Sequence, residues 1–128
     1  GIDITDLSVR AKQLKSSEDR IEFSCWDFAG QEIYYTTHTF FLSHRAIYLL
    51  VFNMTDTRSA EKLQYWLQSI QARAPDAPVV IVGTHLDDPK CSSDYVQKNV
   101  WQPIQSKYAT RYKNIHTCVA VSSRNQVG

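Results

Sequence analysis

The sequence predicts an α/β fold, a mostly parallel sheet with helices on both faces, and three observations predict it. Val79-Val80-Ile81-Val82-Gly83 is an unbroken apolar run of the kind that fills a strand buried on both sides. Ala46 to Phe52 is a second such run. Between them Leu63, Trp66, Leu67 and Ile70 recur at helical spacing, and strand and helix continue to alternate towards the end of the chain.

The elements follow in order. Leu7, Val9, Ala11 and Gln13 alternate with polar partners, Ser16-Ser17-Glu18-Asp19 makes a polar turn, and Ile21, Phe23 and Cys25 alternate again, so 6–26 reads as an antiparallel hairpin. After the strand at 46–52, an amphipathic helix is expected from about Arg58 to Arg73, with Asp56 or Thr57 as its cap and Pro75 beyond its end. A strand at 78–83, a helix over about 92–110 and a strand at 115–121 complete the set. Pro103 lacks a backbone N–H and is expected to kink or split the helix that contains it. No repeat, low-complexity tract or interdomain linker interrupts the series.

Polar motifs follow three of these strands. Trp26-Asp27-Phe28-Ala29-Gly30-Gln31-Glu32 places an acid, a glycine and an amide in fixed order after an apolar strand. An Asp there can hold a magnesium-bound water, the Gly N–H can approach a terminal phosphate, and the Gln can orient an attacking water. Asp-x-x-Gly is also a common turn, so the motif gains its meaning from the other two. Gly83 runs into Thr84-His85-Leu86-Asp87, and Cys118-Val119-Ala120-Val121 opens into Ser122-Ser123-Arg124. Ligands of open α/β sheets bind at the carboxyl ends of the strands, so three such tips imply one shared site.

With these residues in view, the chain resembles a Ras-type GTPase, and most of all a Roc domain, the GTPase module of Roco proteins such as the leucine-rich-repeat kinases. The resemblance rests on Trp26 to Gln31, on Tyr34-Tyr35-Thr36-Thr37-His38 through Phe40-Phe41-Leu42, on Arg45-Ala46-Ile47-Tyr48-Leu49, and on Gly83-Thr84-His85-Leu86-Asp87. Phe28 in place of the Thr usual in Ras, and Thr-His-Leu-Asp in place of Asn-Lys-x-Asp, are Roc-like traits. It covers essentially the whole chain and implies a Ras-like P-loop GTPase fold binding GTP or GDP with Mg2+. It further implies that Asp27 contacts the magnesium through water, that the Gly30 N–H meets the γ-phosphate, and that Gln31 is the catalytic, water-positioning residue. Asp87 is implied to pair with the guanine ring N–H and exocyclic amine, a bidentate contact that adenine cannot reproduce. Backbone N–H groups around Ser122 and Ser123 resemble those that approach the guanine carbonyl, and Arg124 lies where the family often has a lysine. The segment from Ile33 to Leu42 matches the second switch, with Phe40, Phe41 and Leu42 read as core and Tyr34 and Tyr35 as a surface that rearranges when the γ-phosphate leaves. A neighbouring COR-type domain and a homodimer are the implied protein partners.

The departures bear on function. Thr84 and His85 replace an amide and a long cation that brace the loop and cover the base in most Ras-like proteins, which points to weaker base affinity with selectivity kept by Asp87. No G-x-x-x-x-G-K-[ST] occurs, and the glycines at 1, 30, 83 and 128 are too far apart to cradle phosphate. By family order the first strand, P-loop and first helix precede residue 1, so 1–128 is expected to be a partial Roc domain running from just after the switch threonine to the guanine loop near the last helix. Thr5 reads as the entry to a strand rather than as that threonine. Such a piece is expected to fold poorly and to bind GTP weakly or not at all by itself, because the missing strand belongs in the middle of the sheet and the missing nest neutralises the phosphates.

Composition narrows the classes. The chain has 128 residues, 43% of them hydrophobic, enough for one core. A formal charge of +1 with scattered cations argues against a nucleic-acid platform, and no apolar run approaches the roughly 20 residues that span a bilayer, which argues against direct membrane insertion. Cys25, Cys91 and Cys118 lack metal spacing, and two of them fall in strands read as core, which suits a reducing, cytoplasmic setting. His38, His44, His85 and His116 pair with nothing at zinc-ligand spacing. The residue sets of a protein kinase are missing, Asp27-Phe28-Ala29 being a superficial echo. Two functions remain: a GTP-hydrolysing switch that regulates a larger multidomain protein, and a non-catalytic dimerisation or interaction module ordered by nucleotide. Gln31 favours the first.

Overall fold

A computed structural model describes residues 2–9, 20–28 and 42–128, which divide into two compact units, 1–41 and 42–128. In the first, β1 (Ile2–Val9) and β2 (Ile21–Phe28) pair antiparallel, Ile2 opposite Phe28 and Val9 opposite Ile21. This is the expected hairpin, lengthened at its open end. The Arg20 guanidinium donates to the Ser8 hydroxyl at 2.6 Å and to the Ser8 carbonyl at 3.2 Å beside the last strand pair. Cys25, expected in a core, is exposed, and the buried thiol is Cys91.

In the second unit β3 (Tyr48–Asn53), β4 (Val79–Thr84) and β5 (Ile115–Ala120) form a parallel sheet in the order β3-β4-β5. It is an α/β unit, and its strands fall within two residues of the runs read from the sequence. Tyr48, Leu50 and Phe52 share a face with Val79 and Ile81, and on this face the core gathers Leu63, Leu67 and Ile70 from α1 (Thr57–Arg73). Asp56 caps α1 by accepting from the Arg58 N–H at 3.0 Å, and the Ala74 N–H closes the far end on Ile70. The opposite face of the sheet carries Leu49 and Val51, exposed at 60% and 61%. Among the described residues the helices therefore account for one face of this sheet.

The second helix, α2, runs over 93–109, starting at a Ser92 cap. Its α-type turns Ser93–Tyr95 and Gln102–Ile104 alternate with wider π-type stretches, Val96–Trp101 and Gln105–Ala109. Pro103 changes the hydrogen-bond pattern without stopping the helix: the wide turn just before it absorbs the missing N–H, and Trp101, Gln102, Ile104 and Gln105 all keep right-handed helical angles. Val96, Val100, Ile104 and Tyr108 are its buried residues. Trp101 meets Phe52 edge-on, with ring centroids 6.2 Å apart.

Gly83, next to last in β4, lies under a tight ceiling. A Cβ there would stand 2.6 Å from both Cγ and Sδ of Met54, which is itself 2% exposed, and 3.2 Å from the Trp101 ring. The strand can reach the sheet tip at this height because position 83 has no side chain. No helix of the described residues is long and apolar enough to cross a membrane.

Candidate functional site

β4 delivers Thr84 and His85 to the carboxyl end of the parallel sheet, and β5 delivers Ser122 beside them. Two backbone bonds hold the loops together: the Val121 N–H donates to Gly83 at 2.8 Å, and the Leu86 N–H donates to Val121 at 3.1 Å. The two loops are thereby locked in register, and Asp87 comes within reach of Ser122.

Ser122 is 3% exposed, and its hydroxyl donates to Oδ1 of the half-buried Asp87 at 2.8 Å while accepting from the Asn125 N–H at 3.0 Å. The Asp87 carboxyl is held below its ordinary range, chiefly by that hydroxyl, with Arg124 and His85 adding attraction and partial burial opposing. Asp87 is therefore ionised at neutral pH, and the Ser122 bond leaves Oδ2 and a second lone pair on Oδ1 as acceptors. A pair of N–H donors spaced like those on one edge of guanine suits such a group.

Residues 122–127 close on themselves. The Ser122 N–H donates to Val127 at 2.7 Å, the Val127 N–H returns to Ser122 at 3.1 Å, and Gln126 takes the left-handed conformation at φ 52° to make the turn. The Ser122 N–H is thus already committed, which removes it from the backbone donors expected to meet a guanine carbonyl. The Ser122 hydroxyl is the group that reaches Asp87. Ser123 and Arg124 stand exposed along the same loop.

Thr84 and His85 brace the tip from the other side. The Thr84 hydroxyl donates to the Phe52 carbonyl of β3 at 3.1 Å and lies 2.9 Å from Nδ1 of His85. His85 is left-handed at φ 67°, a conformation in which histidine is enriched among residues with a Cβ, and its carbonyl accepts from the Asp88 N–H at 3.0 Å. Lys90 and Tyr95 reach the end of β3, donating to the carbonyls of Thr55 at 3.3 Å and Met54 at 3.4 Å. Neither was singled out from the sequence. Both act through backbone carbonyls from outside the motif, and residue spacing carries no trace of that.

Of the first motif, Gly30 and Gln31 lie outside the described residues. So do Tyr34, Tyr35, Phe40 and Phe41. Asp27 is placed in β2, exposed, directly opposite Asp3 of β1. No group of three or more metal-ligating side chains occurs among the described residues.

Acid tests the Ser122 contact. A depressed carboxyl pKa contributes stability that is fully present above the unfolded value, near 3.9, and is lost as pH falls through the folded value. Ser122→Ala removes the main cause of the depression, so the drop in Tm between pH 7 and pH 3 is expected to be smaller in the variant than in the parent. Parallel melts at the two pH values measure it, and an equal drop would show that Asp87 owes nothing to this hydroxyl.

A family model described as "Ras of Complex, Roc, domain of DAPkinase" matches residues 1–87. A probable serine/threonine-protein kinase, pats1, of Dictyostelium discoideum is 43% identical over 126 residues, 98% of this chain and 4% of that protein. Leucine-rich repeat serine/threonine-protein kinase 1 of Caenorhabditis elegans is 39% identical over 93 residues, 72% of this chain and again 4% of its relative. Among solved structures, Methanosarcina barkeri Roco2 RocCORdC bound to GDP superposes with a TM-score of 0.69 at 28% identity, over 98% of this chain and 34% of that one. The chain thus spans about 4% of the length of the curated relatives described here.

Proposed function

The chain belongs to the Roc family, and on that premise we propose that it is the guanine-reading part of a GTP-hydrolysing switch within a larger Roco-type protein. The observation that carries the proposal is the ionised Asp87, braced by Ser122 at a parallel-sheet tip with acceptors to spare. Its two oxygens pair with the guanine ring N–H and exocyclic amine. The peptide N–H groups of Ser123 and Arg124 serve the guanine carbonyl, and Thr84 and His85 shape the wall beside the base. The GDP held by the M. barkeri relative supports a guanine nucleotide as ligand.

In the same reading Gln31 positions the water that attacks the γ-phosphate, and Gly30 offers its N–H to that phosphate. Asp27 fits a hard divalent cation, its exposed carboxylate being the oxygen donor that magnesium prefers, with Asp3 a second oxygen donor across the strand pair. Asp27 would hold Mg2+ through water, and the ion would neutralise charge on the phosphates. Residues 1–128 are read as part of one Roc domain, working in the cytoplasm, next to a COR-type domain like the one in the M. barkeri structure and as a homodimer.

Titration of the full-length protein with GDP and ADP tests the ligand, and only GDP is expected to bind. For the reaction, Gln31→Leu is expected to slow GTP hydrolysis roughly tenfold or more while leaving GDP affinity in place, since only the attacking water loses its orientation. Hydrolysis at the parental rate would leave a nucleotide-ordered interaction module as the better description.

A further inference from the structure

We infer that Thr84 is a positioning residue whose hydroxyl fixes His85 as the Nδ1–H tautomer, so that the imidazole offers an unprotonated Nε2 acceptor two residues from Asp87. This rests on the guanine-reading role of the loop for its use, though not for its chemistry. The argument is one of proton count. Thr84 Oγ1 lies 3.1 Å from the Phe52 carbonyl and 2.9 Å from His85 Nδ1, yet a hydroxyl has a single proton. The carbonyl can only accept, so the hydroxyl proton goes to Phe52. The His85 contact is then a hydrogen bond only if Nδ1 carries the proton and Oγ1 accepts it. Of the two tautomers of the neutral ring, the other sets lone pairs against each other at one of the two contacts.

The resulting chain runs from His85 Nδ1–H to the Thr84 hydroxyl to the Phe52 carbonyl, from the loop into the end of β3. It anchors the ring of a residue already committed to a left-handed backbone at φ 67°. It also sets the chemistry of the free edge. Nε2 accepts from a ligand donor, such as a ribose hydroxyl, where the lysine usual at this position in Ras-like proteins only donates. The Thr-His pair therefore replaces the Asn-Lys pair with a different hydrogen-bond polarity at the same sheet tip.

Long-range 1H–15N correlation spectra of the nucleotide-free, 15N-histidine-labelled full-length protein above pH 8 test this, with His85→Asn assigning the signal. Parent and Thr84→Ser are expected to show His85 with the proton on Nδ1, and Thr84→Val to shift it towards Nε2. A parental signal with the proton on Nε2, or a Thr84→Val signal that keeps it on Nδ1, would overturn the inference. GDP affinity of the full-length protein supplies a second reading: Thr84→Val is expected to weaken it several-fold and Thr84→Ser to restore it, and a serine variant as weak as valine would overturn the role of the hydroxyl. The spectra involve no nucleotide, so a failed guanine assignment would leave the tautomer result standing, and the converse.

Discussion

Asp87→Asn is expected to lower affinity for guanine nucleotides on the order of 100-fold, since two charge-assisted bonds each worth roughly a factor of ten are lost or inverted, and to raise affinity for xanthine nucleotides. In the proposed pairing the carboxylate accepts from two neighbouring N–H donors of guanine. Asparagine keeps one acceptor and turns the other oxygen into an NH2 donor, which then faces the guanine amine donor to donor. Xanthine carries a carbonyl where guanine carries that amine, so the same NH2 finds a partner. The shape of the loop is retained, because the Ser122 hydroxyl, 2.8 Å from Asp87 Oδ1, can donate to an amide oxygen as readily as to a carboxylate. Parallel titrations with GDP and xanthosine diphosphate measure the exchange. A variant that still prefers GDP would remove Asp87 from base selection.

Leu67→Ala is expected to cost about 2–5 kcal/mol of folding stability, the range for truncating a buried leucine. Leu67 is 1% exposed in α1, inside the cluster that joins the helix to Leu50, Phe52, Val79 and Ile81. The strands below hold one another by backbone bonds, so the cavity cannot easily collapse. Gln68→Ala is the control: it lies in the same helix but on its exposed side, where a surface substitution moves stability by about 0.5 kcal/mol or less. Urea unfolding of both variants in the full-length protein gives the comparison. Equal losses would mean that Leu67 is not held in the core between helix and sheet.

The elements with strong local periodicity could be read from the residues alone. The helix from Arg58 to Arg73 with its Asp56 cap was legible because apolar spacing and a capping side chain are local facts, and the run ending in Gly83 because both faces of its strand are apolar. The first strand was placed four residues late. Its apolar residues change sides, Leu7 standing on the face opposite to Ile2 and Ile4, and alternation fades where that happens. Asp87 and Ser122 were legible as motif residues, whereas the hydroxyl contact between them was not, since it depends on how β4 and β5 bring two loops 35 residues apart into register. The commitment of the Ser122 N–H to Val127 was hidden for the same reason. Of the Asp27 motif, Gly30 and Gln31 fall outside the described residues and stand on the family resemblance.

The winding of α2 sets what its sequence can bear. Val96, Val100, Ile104 and Tyr108 are spaced strictly by four, a rhythm that an ordinary helix of 3.6 residues per turn would carry around its axis by about 40° at each step. Wide turns alternating with normal ones bring the average close to four, so the stripe stays straight. The helix is in effect tuned to a tetrad repeat. Deleting one residue from Val96–Trp101 would tidy the hydrogen bonds yet swing everything downstream by about 100°, carrying Ile104 and Tyr108 away from the core.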